Sequence, residues 1–358
     1  MTNETMPPLC TWPGVDTGQW PEPDPPFPVI VPYRPRPDLA RLGASLHGRV
    51  ESRVLDTDRL LADDLRAKWA RLQALPERCV AVAPALAADP DGVWRRVRAA
   101  ARAIADGQPQ AGAPEGRAPS PPVLARVGDE LHAAVAGWAM PADDRPFALR
   151  PLRADAVPVL RWIASRPAAE RPLHALGLAV QPDLAWVESP APGAPVIAAL
   201  LHVCWPSGWD PAAKIGLDFA AIHAPVADGE MLRAASAGLS RALVDRGPLV
   251  RYVWTVTGSA TRSRHPADAP EPPPGAAEAA WFRCERQVSL PLGAAAGPQA
   301  TALFLIHLHV HPLLRVAAGP ERRAVLLAAL ESMSDATLRY KRLETVREVL
   351  RRDWAGEA

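Results

Sequence analysis

Four stretches in the second half of the chain constrain the fold most. Val196–Trp205, Leu249–Thr257, Trp281–Leu290 and Thr301–Val310 are each enriched in β-branched or aromatic residues, and turn-forming residues separate them. They read as strands. Only Met231–Asp245, between the first two, reads as an intervening helix. Strands that do not alternate regularly with helices predict an antiparallel sheet with flanking helices, α+β rather than doubly wound α/β.

The first half has a different character. Residues 1–26 are rich in proline and lack periodicity, which predicts an irregular arm. Phe27–Tyr33 reads as a short edge strand, because its prolines forbid a central one. Asp56–Leu72 carries Leu60, Leu61, Leu65 and Trp69 at helical spacing, with Thr57 or Asp58 as the cap. Helices are also predicted over Val93–Ala105 and Val123–Trp138, the second from Leu124, Val127, Leu131 and Val135. A surface loop, Gly107–Pro122, separates them. Pro151–Ile163 is ambiguous, and Glu321–Trp354 reads as two amphipathic helices. The expected organisation is an arm over 1–26 and one domain over 27–358. Within that domain, a helical layer (27–190) precedes a sheet-rich core (191–358).

Composition excludes some classes of function. The formal net charge is +1, so no global field attracts nucleic acid. The cysteines Cys10, Cys79, Cys204 and Cys284 form no CxxC pair, which excludes a zinc knuckle or thioredoxin-like motif. No secretory signal and no run of about 18 apolar residues is present, so a cytoplasmic protein off the membrane is expected. No GxGxxG follows a strand, and GxxxxGK[ST], HExxH and GxSxG are absent. Ser207, in PSGW, sits in no nucleophile elbow.

Several residues could carry chemistry. His307, His309 and His311 form HxHxH in a strand, and period-2 geometry points all three to one face. They suit zinc or iron, or else form a polar stripe on a half-exposed sheet; no nearby carboxylate obviously completes a site. His223 lies in IHAPV, with Pro225 breaking any helix after it. A single neutral imidazole suits a haem iron, and the competing reading is a structural histidine bonded to backbone. Trp205, Trp209, Trp254 and Trp281 either line a flat cofactor or amine pocket or belong to the core. Alternation places Arg283 and Glu285 on one strand face and Arg286 on the other. An arginine there could clamp a propionate, Glu285 could hold a substrate ammonium, and a plain salt bridge is the alternative. Arg251 and Lys214 are further carboxylate-binding candidates.

The string PSGWDPAAKIGLDFAAIHAPV resembles the hallmark of the haem-dependent oxidative N-demethylase family: PSxW, then KxG, then IHxPV. The matching positions are Pro206, Ser207, Trp209, Lys214, Gly216, Ile222, His223, Pro225 and Val226. Three later blocks agree in order: Arg251 with Trp254, the RxERQ block Arg283, Glu285, Arg286 and Gln287, and Tyr340 with Lys341. The chain departs at Val253, where the family pattern has asparagine, at Pro182, and at Ile306–His309, where the family reads approximately IRTY.

The resemblance implies a PAS-like antiparallel sheet wrapped by helices and binding haem b. It also implies oxidative removal of a methyl group from a small secondary amine such as dimethylamine, using O2 and releasing formaldehyde. Electrons would come from NAD(P)H through flavin and iron–sulfur partners or a ferredoxin reductase. His223 would be the axial iron ligand, with Lys214, Arg251, Arg283 and Arg286 as haem-binding candidates and Glu285 and Trp254 as catalytic ones. This chain would be the haem-bearing part alone, since it lacks the cysteine sets for an iron–sulfur cluster. Two other readings stand beside this one. A non-catalytic haem or small-molecule sensor would use the same fold, and a non-haem metalloenzyme would use His307, His309 and His311.

Overall fold

A computed structural model of the protein describes residues 20–35, 38–107 and 122–356. Most of the expected arm over 1–26 and most of the loop over Gly107–Pro122 lie outside these residues. The strands are β1 (Ala40–Arg41), β2 (Ser45–Leu46), β3 (Arg49–Val50), β4 (Val80–Val82), β5 (Leu124–Val127), β6 (Glu130–Ala133), β7 (Trp138–Pro141), β8 (Arg150–Pro151), β9 (Asp183–Glu188), β10 (Ile197–His202), β11 (Leu249–Thr257), β12 (Trp281–Pro291) and β13 (Thr301–Pro312). Seven of them form one antiparallel sheet in the order β1-β11-β12-β13-β9-β10-β4. A smaller sheet runs β5-β6-β7-β8. The fold is α+β, and all four expected strands are in the large sheet.

The register fixes two faces. Arg251 pairs with Gln287, Val253 with Glu285 and Thr255 with Arg283. These residues share a face with Ile306, Leu308 and Val310 of β13 and with Asp183 and Ala185 of β9. The opposite face carries Tyr252, Trp254, Cys284, Arg286, His307, His309 and His311. The first is called the front face below, the second the back face. On the front lie the helix Ser236–Asp245, whose Leu243 carbonyl accepts a bond from Ser289, and the segment around Trp209, Ile215 and Ile222. The helices Leu61–Ala74 and Pro90–Asp106, the small sheet and β9, β10 and β13 share one large core. A second core joins the C-terminal helices to Tyr252, Trp254, Val256 and Phe282.

Local sequence explains most elements. Asp89 caps the helix Pro90–Asp106 by accepting from Gly92 N at 2.9 Å, and Pro90 takes the first turn, where no donor is needed. Strand β12 is covered on both faces, so its Arg283, Glu285, Arg286 and Gln287 must all find partners inside the protein.

Five expectations need correction. Val123–Trp138 is not a helix but the strands β5, β6 and the start of β7. Gly128 and Asp129 form a two-residue turn between the paired Val127 and Glu130, and Gly128 adopts φ 62°, a conformation that ends a helix. Val127, placed on the apolar face of that helix, is 51% exposed. Phe27–Tyr33 is not a strand: it bends at Val31–Pro32 and pairs with no strand. It packs by side chains, Phe27 against Phe282 and Tyr33 against Trp254, and Tyr33 N donates to Ser332 Oγ. The first long helix starts at Leu61 rather than Asp56, since Asp58 instead holds the turn before it, accepting from Leu60 N at 2.8 Å. Glu321–Trp354 is three helices: Pro320–Glu331, Asp335–Lys341 and Glu344–Asp353. Ser334 caps the second, and Arg342 at φ 57° ends it. Met231–Asp245 is likewise split, into Glu230–Ala234 and Ser236–Asp245.

Candidate functional site

The segment Trp205–Val226 is pinned to the front face at several points. Gly216 N donates to Ala198 O at 2.8 Å and Ala198 N to Leu217 O at 3.0 Å, which ties the segment to β10. Trp209, Ile215 and Ile222 pack on Ala185, Ala198 and Leu201. Asp218 then caps a single turn, Phe219–Ile222, by accepting from Ala221 N at 2.8 Å. His223 closes that turn and Pro225 prevents its continuation.

This local structure fixes the imidazole. Nδ1 of His223 donates to Phe219 O at 2.8 Å, and the ring stacks on Phe219 at 4.0 Å between centroids. Burial, opposed by that backbone bond, pushes its pKa down to about 4. The ring is therefore neutral at pH 7, with its Nε2 lone pair outside the bond to the turn. A ring nitrogen held by a carbonyl with the other left as an acceptor is the arrangement metal-ligating histidines use. Two cations act on this ring, Arg251 and Lys214. Lys214 Nζ donates to Ile222 O at 3.2 Å, one residue from the histidine.

Beside it runs a polar network on β11 and β12. Arg251 Nε donates to Gln287 Oε1 at 2.6 Å, and Gln287 Nε2 donates to Glu285 Oε2 at 2.7 Å. Ser207 Oγ donates to Glu285 Oε1 and accepts from Arg283 Nε at 2.9 Å. The PSGW turn is held in place by a bridge between Ser207 and Arg264. Lys341 Nζ donates to Trp254 O at 2.9 Å, and burial, opposed by Glu285, pushes its pKa down to about 8.

The candidate residues separate into three groups. His223, Lys214, Arg251 and Glu285 come together on the front face. Arg283 is on that face too, but its donors go to Ser207 and to the carbonyls of Thr261, Arg262 and Trp205, so it holds two loops to the sheet. Arg286 is on the back face, donating to Glu51 Oε2 at 2.7 Å and to the carbonyls of Val54 and Arg53. Trp254 is also on the back face, stacked on Phe282 at 5.8 Å and buried in the C-terminal core, away from Glu285.

His307, His309 and His311 are on the back face, all buried. A carboxylate does meet them: ligand atoms of Asp58, His307 and His309 lie within 4.8 Å of one another. Nothing in the sequence joins Asp58 to β13, since the two are remote along the chain. Ser207 is the other residue missed. Its place in the PSxW string was the available signal, and its role is to bridge Arg283 and Glu285.

These features define an α+β protein whose sheet holds a neutral, backbone-anchored histidine beside fixed cations and a carboxylate network. A family model described as haem-dependent oxidative N-demethylase, alpha subunit-like, matches residues 155–351, more than half of the chain. The chain belongs to that family. The match contains His223, Lys214, Arg251 and Glu285. No curated protein matches the chain. Among the described residues, no helix is long and apolar enough to cross a membrane.

Proposed function

We propose that this protein is the haem-bearing part of an oxidative N-demethylase acting on a small secondary amine such as dimethylamine. The observation that carries this reading is the anchored, neutral imidazole of His223, which would hold a haem iron through Nε2. Lys214 and Arg251, the cations that act on His223, are the candidates for the haem carboxylates, Arg251 through guanidinium N–H groups other than the Nε bonded to Gln287. Arg283 and Arg286 are better described as internal braces, because their donors are already engaged.

When bound, haem would supply reductive activation of O2, with two electrons and two protons, so that one oxygen atom would end on the methyl carbon and the other would leave as water. The resulting carbinolamine collapses to formaldehyde and the shorter amine. Glu285 anchors the substrate ammonium in this proposal. Each of its oxygens accepts one bond from the protein and retains a further lone pair. Ser207 and Gln287 hold that carboxylate at a fixed angle, and its charge favours the protonated form of Lys341 against burial. The electrons come from NAD(P)H through flavin and iron–sulfur partners. A PAS-like reading of the wrapped sheet belongs to the same proposal.

Haem-loaded protein, supplied with a ferredoxin reductase system, NADPH and dimethylamine, should release formaldehyde in step with NADPH oxidation. NADPH oxidation that yields no formaldehyde from dimethylamine or other small secondary amines would leave a haem protein without this activity, as the sensor reading expects.

A further inference from the structure

We propose that Asp58, His307 and His309 form a binding site for one divalent first-row transition-metal ion of the zinc or iron type, on the sheet face opposite the haem proposal. The argument begins with strand geometry. Positions 307 and 309 are two apart on β13, so their rings project to one face, 4.3 Å apart between centroids. The pairing of β13 with β9 ends at Ile306 and Asp183. Beyond it the chain before the helix Leu61–Ala74 brings Asp58 to the two rings, all three side chains being buried.

The donor set has the composition of a metal site. Two imidazoles and one carboxylate from a separate element are the ligands that zinc and non-haem iron take, with further positions left for water. The carboxylate is also held by an outer residue: Gln181 Nε2 donates to Asp58 Oδ1 at 2.9 Å and to Asp64 Oδ2 at 2.7 Å. Such outer bonds orient metal ligands.

A second observation points to a missing partner. His309 Nε2 is buried and makes no hydrogen bond. A buried polar atom left without a partner is destabilising. The cations around the cluster are already matched: Arg286 by Glu51, Arg262 by Asp64 and Lys68 by Asp183. The carboxylate of Asp58 is thus left to neutralise an incoming ion. Asp56 is matched in the same way, by Arg49 at 3.4 Å.

The test uses the full chain, stripped of metal by a chelator and dialysed against zinc(II) or cobalt(II). One equivalent should bind, and zinc X-ray absorption should show nitrogen and oxygen neighbours, including two imidazoles, with no sulfur. Asp58→Asn and His309→Ala should each weaken binding at least tenfold, whereas His223→Ala should bind as the wild type does. Substoichiometric metal in the wild type would overturn the proposal, since water would then be the partner of His309. Sulfur in the coordination shell, pointing to Cys284, would overturn it as well, as would undiminished binding in both variants. The wild-type spectrum decides the matter even if a variant fails to fold. The haem proposal concerns the other face, so its failure leaves this result unaffected.

Discussion

The anchoring of His223 depends on one residue that never touches the proposed haem. Asp218 caps the single turn that ends in His223. Asp218→Ala should cost about 0.5–2 kcal/mol of local stability, the usual value of such a cap. It should loosen the imidazole without removing it. We expect weaker haem retention, read as faster loss of haem to an acceptor such as apomyoglobin. An unchanged transfer rate would show that the cap does not position the ligand. Glu285 gives a complementary prediction. Glu285→Gln preserves shape and removes the charge, so KM for the amine should rise at least tenfold while the haem spectrum stays as it is. An unchanged KM would remove Glu285 from substrate binding.

At the scale of elements, β12 shows what a strand buried on both faces demands. Arg286 and Glu51 are each at most 3% exposed, and Arg286 carries Val54 and Arg53 as well. Arg286→Ala removes the nearer of the two cations on buried Glu51, leaving it Arg49 at 3.5 Å and the Tyr252 hydroxyl, at a cost of about 3 kcal/mol. Chemical denaturation should show that loss, and the double variant Arg286→Met, Glu51→Met should recover much of it. A loss under about 1 kcal/mol for Arg286→Ala would mean that Arg49 or water satisfies Glu51 without it.

Elements also show what the sequence discloses. Strands β11, β12 and β13 are legible because each is enriched in β-branched or aromatic residues and turn-forming residues separate them. The hairpin at Gly128–Asp129 was misread because Leu124, Val127, Leu131 and Val135 happen to fall at helical spacing. Its glycine–aspartate turn was the stronger signal. Strand β9 is short, yet it lies between β13 and β10 in the sheet, so the sheet draws its interior partly from residues before 191. The meeting of Asp58 with β13 is a tertiary event, and no local pattern encodes it. Alternation correctly separated Arg286 from Arg283 and Glu285. It gave no indication that Arg283 would be fully occupied by loop carbonyls, because those partners lie on distant turns.

For the whole molecule, the buried histidines set the response to acid. Burial depresses the pKa of His223 to about 4, of His307 to about 3 and of His311 to about 4, and lowers those of His174, His202 and His309. The unfolded chain titrates these groups near 6.5. Between those values the unfolded state binds more protons, so stability must fall as pH drops from about 6.5 towards 4. Asp58 works in the opposite sense. Burial raises its pKa to about 6, so its contribution is complete only below the ordinary carboxylate range and is lost as pH rises through 6. Burial raises Asp64 and Asp183 in the same sense as Asp58, but three carboxyls do not offset six imidazoles. Metal-free protein should therefore show a falling Tm from pH 7 to pH 5, and a flat or rising Tm would contradict the burial of these rings.

The central claim is that His223 is the axial ligand of a haem. Its most direct measurement is a haem titration of the purified full chain followed in the Soret region. The wild type should bind one equivalent, with the spectrum of a histidine-ligated iron. His223→Ala should lose that band or shift it, and added imidazole should restore it. A wild-type chain that takes up no haem, or a His223→Ala variant with an unaltered Soret band, would contradict the account.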